Sequence, residues 1–167
     1  MNTKDAPPTR AMWGDIEADQ DILWAYESFG EKSFVQILPR LESNFLIEVQ
    51  HLAIIPDLVF SYYAESLLLF VLNHCESEDD FLVNLGAFVD FTDAKLENSP
   101  AVWKEFWTNA MELMERCANR LSMEVVHQGI RQELSQRISA ICVLIKTWGG
   151  DWVPMNNISL WGEVPKN

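Results

Sequence analysis

Glutamate and histidine three residues apart occur twice in this chain, as Glu48-Val49-Gln50-His51 and as Glu124-Val125-Val126-His127. On an α-helix such a pair shares a face, and a carboxylate beside an imidazole is a donor set suited to a transition metal. Two more acids fall where helical spacing points inward: Glu27 in the series Ile16, Gln20, Leu23, Glu27, and Glu65 in the series Leu58, Tyr62, Glu65, Leu69. Glu48 continues the series Leu41, Phe45, Glu48, Leu52, and His127 lies within the stripe Met123, His127, Ile130, Leu134, Ile138. A carboxylate removed from water needs a partner, which a metal ion or an arginine can supply. The second option makes Glu48 and His127 core-edge residues, hydrogen-bonded or paired with arginine.

Either chemistry needs helices to carry it, and helices are what the pattern predicts. Apolar residues recur at three- and four-residue steps after residue 15, and no Asn-Gly or Asp-Gly hairpin signal interrupts alternating β-branched runs. The clearest stripe is Trp103, Phe106, Trp107, Ala110, Leu113, Met114, Cys117, Ala118, Leu121, preceded by Ser99 as N-cap and Pro100 in the first turn. A longer helix is expected from Ser122 to Gly149-Gly150, where glycine can take a left-handed cap. Upstream, Asp15–Ser28 reads as a first helix, and Pro39 as the opening of a second that runs towards Ile54. Pro56 either starts a new helix or kinks that one. Further helices cover roughly Pro56–Asn73 and Glu78–Leu96. The expectation is an all-α, single-domain bundle of five to six helices over residues 15–150. A disordered or loosely packed N-terminus (1–14) precedes it, and an irregular aromatic tail (151–167) packs onto it. In that tail Trp152 and Trp161 either pack back across the helices or anchor a partner.

Carried on two such helices, the Glu-x-x-His pairs resemble half of the carboxylate-histidine constellation of ferritin-like di-iron proteins. The resemblance covers Glu48, His51, Glu124 and His127. It implies a bound di-iron centre or another transition metal, with Glu27 and Glu65 as candidates for the remaining carboxylates. Other catalytic signatures are missing: the sequence holds no G-x-S-x-G elbow, phosphate-binding glycine loop, H-E-x-x-H or dinucleotide fingerprint. His74 and Cys75 are adjacent, and neighbouring helical side chains diverge by about 100°, too far for an activating hydrogen bond.

Charge points to a different role. Twenty-five acids against twelve bases give a net charge of −13, which repels phosphate backbones and anionic membrane surfaces and favours basic partners. The charge is concentrated. Residues 15–31 hold six acids and no base, for −6, and residues 76–97 hold seven acids and one base, for another −6. Asp15, Glu17, Asp19 and Asp21 alternate like the ligands of a calcium loop, but Gln20 stands where the sharp turn needs glycine and Tyr26 where the bidentate glutamate belongs. With Glu76, Glu78, Asp79, Asp80, Asp90 and Asp93 they are the candidate contacts for a basic protein: a nuclease, a toxin or a nucleic-acid-binding protein. Three unpaired-looking cysteines and the absence of a long apolar run point to a reducing, cytoplasmic setting with no membrane span. The preferred function is therefore a small acidic interaction protein of the immunity-protein, inhibitor or chaperone type. The metal-binding bundle is the first alternative. A homo-oligomeric subunit, joined through surplus apolar surface on the Pro56–Asn73 helix, is the second.

Overall fold

A computed structural model describes residues 6–98, 100–123 and 127–147. Among these the chain is helical and contains no strand. Six α-helices follow one another: α1 Gln20–Phe29, α2 Phe34–Glu48, α3 Asp57–His74, α4 Glu78–Asn98, α5 Pro100–Met123 and α6 Gln128–Thr147. Single 3-10 turns at Arg10–Trp13 and Val49–Ala53 precede α1 and join α2 to α3.

The core is organised on α3. Its sequence is apolar around nearly the whole circumference, and a helix of that kind must be covered on every side. Accordingly α2, α4, α5 and the Arg10–Trp13 turn all pack on it. Val59, Phe60, Tyr63, Ala64, Leu67, Leu68 and Val71 are fully buried. Each large side chain among them contributes about 1.5–3 kcal/mol by leaving water. Phe60 meets Phe106 of α5 edge to face, with ring centres 5.3 Å apart. The apolar surface of α3 is thus largely covered by the chain's own elements, and among its large apolar residues Leu58 at the first turn stands out, 72% exposed.

Several boundaries differ from expectation. Pro56 is the N-cap of α3 and starts a new helix. Pro39 does not open α2 but lies inside it, removing the bond that Val35 would otherwise accept. The true start is Ser33, whose reciprocal bonding with Gln36 forms a capping box. α2 is then interrupted at Asn44, whose backbone is extended (φ −162°, ψ 70°). α1 begins at Gln20, because Asp15–Ala18 forms a turn in which the Asp15 carboxylate accepts from Glu17 N. The N-terminal stretch is tighter than predicted as well. Trp13 is 1% exposed and sits edge-on to Tyr26 at 5.3 Å and against Tyr63 at 5.7 Å.

The single long helix expected from Ser122 is also corrected: α5 ends at Met123 and α6 begins at Gln128. His127 stands just outside α6 with a left-handed φ of 57°. Met123 and Ile130, which one continuous helix would turn into the core, are 78% and 53% exposed. Trp152, Trp161 and the rest of the expected tail lie outside the described residues.

Candidate functional site

Burial of Glu48 at the end of α2 is the most demanding electrostatic feature of the fold. Its carboxylate is nearly enclosed, and Oε1 accepts from Arg40 Nε at 3.0 Å and lies 2.9 Å from Arg40 Nη2. The same guanidinium donates to Ser28 Oγ of α1 at 3.0 Å. His51 Nδ1 stands 3.5 Å from Glu48 Oε2, and its ring meets Phe29 edge-on. Burial by itself raises the Glu48 carboxyl, but His51 and Arg40 outweigh it and hold the carboxyl below the ordinary glutamate value. The alternative of a core-edge glutamate paired with arginine therefore describes Oε1 of this carboxylate, while Oε2, buried beside His51 Nδ1, has no hydrogen-bond partner among the described residues.

Among the described residues, the members of the two Glu-x-x-His motifs are not grouped as metal ligands. His127, displaced by the break between α5 and α6, is exposed and bonds to Asp79 of α4, Nε2 to Oδ1 2.9 Å. Glu124 lies outside the described residues. Glu27 is exposed, not inward-facing, and Glu65 is half-buried on α3. Among the described residues no group of three or more His, Cys, Asp or Glu side chains is placed to hold a metal ion.

The two acidic segments differ in what they are used for. On α4, Asp90 and Asp93 grip Arg137 of α6, each with a 2.6 Å contact, and Arg137 is only 15% exposed. Burial works against the guanidinium charge there, yet the two aspartates more than compensate and raise its pKa. Asp79 pairs with His127, and Asp80 accepts from the Ser77 hydroxyl at 2.7 Å while its own N–H donates back to that oxygen. These four acids fasten α4 to its neighbours or cap it. Glu76 is exposed and Glu78 half-buried.

Asp15, Glu17, Asp19 and Asp21 are all exposed. Asp19 caps α1 by accepting from Asp21 N at 2.8 Å, and Glu17 comes within 3.6 Å of Arg10. Among the described residues Asp15, Asp19 and Asp21 meet no lysine or arginine. Trp24 follows on α1, 56% exposed, three residues after Asp21 and three before Glu27, so all three share a face. The sequence reasoning missed this tryptophan. Its signal was a large aromatic that breaks the Ile16, Gln20, Leu23, Glu27 series between two acids.

No family model matches this chain, and no curated protein or solved structure matches it either. Thiol chemistry gains nothing from the geometry: burial pushes the Cys75 thiol up, partly offset by Asn84, and pushes Cys117 up to about 12.

Proposed function

We propose that this protein binds a basic protein partner and neutralises or escorts it, in the manner of an immunity protein, inhibitor or chaperone. The observation that carries the reading is the surface formed by Asp15, Glu17, Asp19 and Asp21 with Trp24 beside them. Asp15, Asp19 and Asp21, which meet no lysine or arginine among the described residues, attract a cationic surface over several ångströms and raise its association rate. An exposed indole flanked by Asp21 and Glu27 offers a stacking face for an arginine whose charge the acids then pair. Tryptophan at the centre of an interface typically contributes more than its neighbours.

Capture with the full-length chain as bait tests this. Asp15→Lys, Glu17→Lys and Asp21→Lys together reverse the surface while leaving the Asp19 cap in place, and Trp24→Ala removes the stacking face. The expected result is a basic protein held at stoichiometric ratio by the original chain, lost with the triple variant and weakened with Trp24→Ala. Retention of the same partner by the triple variant, or a purely acidic set of captured proteins, contradicts the proposal.

A further inference from the structure

A groove of about 290 Å³ opens between the second half of α2, the C-terminal end of α3 and the first turns of α4. Three rings lie along it in a nearly parallel stack: Phe45 on Phe70 at 5.2 Å and 13°, and His74 on Phe70 at 5.4 Å and 1°. Two carboxylates line it, Glu42 from α2 and Asp80 from α4, and no lysine or arginine does. Glu42 is 55% exposed, with Oε1 3.7 Å from His74 Nδ1. The nearby Arg120 is committed elsewhere, lying 4.0 Å over the Phe81 ring and donating to the Leu72 and Cys75 carbonyls. Exposed aliphatic surface borders it on the α2 side. Leu46, 44% exposed, lines the groove just past the break at Asn44.

We infer that this groove takes an amphipathic basic segment of a protein partner, an aliphatic side chain packing on the exposed Leu46 with a lysine or arginine paired to Glu42 and Asp80. The inference rests on the proposed binding of a basic partner and gives that partner a second contact, distinct from the Asp15–Trp24 surface. Charge complementarity selects the occupant. An acidic segment places like charge against Glu42 and Asp80, whereas a basic one supplies their counter-charge. The interruption of α2 at Asn44 lies at this groove, so the helix departs from regular geometry beside the proposed docking site.

The test uses the full-length, isotopically labelled chain and a heptapeptide of alternating leucine and arginine, with a leucine–glutamate peptide as control. Amide shifts followed during titration should move at Leu46, His74 and Asn84 with the arginine peptide and stay still with the control. Glu42→Arg should weaken that binding roughly tenfold, as expected for reversing a charge at the edge of an interface. Leu46→Ser, a second exposed position, should weaken it independently. Shifts confined to residues 15–27 overturn the groove assignment while leaving the basic-partner proposal standing. Equal binding of both peptides, or binding within twofold in Glu42→Arg, overturns it as well. Shifts nowhere in the protein count against both.

Discussion

Replacing Asp90 and Asp93 together with asparagine isolates the distinction between acids that hold the fold and acids that face solvent. Both carboxylates contact Arg137 at 2.6 Å, and Arg137 is 15% exposed, so the double variant removes these two counter-charges from a largely enclosed guanidinium. Breaking a fully buried pair costs about 3–5 kcal/mol. Asp93 is 27% exposed and Asp90 64%, so solvent screens part of the loss, and most of Asp90's share is discounted. A cost of about 2 kcal/mol is the resulting expectation, or roughly 4–8 °C in melting temperature for a chain of this size. Asp15→Asn with Asp21→Asn removes the same formal charge from exposed positions and is expected to stay within about ±0.5 kcal/mol. Asp19 is left alone because it caps α1. Urea and thermal unfolding of the two double variants, at low and high salt, measures the difference. Most of the Asp90–Asp93 effect should survive added salt, because the guanidinium is enclosed. Equal destabilisation by the two pairs, or a larger effect from Asp15 and Asp21, would refute the assignment.

Two further outcomes follow from single side chains. Glu48 has a carboxyl pKa held below the ordinary 4.5, so its contribution to stability is complete above that value and is lost as pH falls through the lowered one. The stability gap between the original chain and Glu48→Gln should therefore be constant near neutrality and shrink below about pH 4.5, and a gap that widens with acid contradicts the Arg40–His51 pairing. Cys75 and Cys117 are buried with raised thiol pKa values, so mass spectrometry should find both unmodified by a maleimide at pH 8 until urea is added. Rapid native labelling of either one would show that its thiol is accessible.

How much was legible varied with the kind of signal. The stripe from Phe106 to Leu121 is a strict three-four repeat of apolar residues, and α5 carries it from Pro100 to Met123. Apolar spacing says nothing of backbone continuity, which is why Met123, His127 and Ile130 read as one stripe although a left-handed residue separates two helices. From sequence, Pro39 reads as a helix start and Pro56 as either a start or a kink. Of the two, only Pro56 marks a start, while the Ser33–Gln36 capping box was the more specific signal for α2. At the site level, the composition showed which segments are acidic but not which acids have partners. Arg137 lies 44 positions beyond Asp93, and that pairing depends on how α6 lies against α4. The groove combines α2, α3 and α4 residues that share no local pattern.

Amide hydrogen exchange across residues 15–27, with and without the captured basic partner, tests the central claim most directly. The account predicts slowed exchange over this segment in the complex, centred on Asp19–Trp24. Unchanged exchange there, with slowing confined to surfaces that exclude both this turn and the groove, would contradict it.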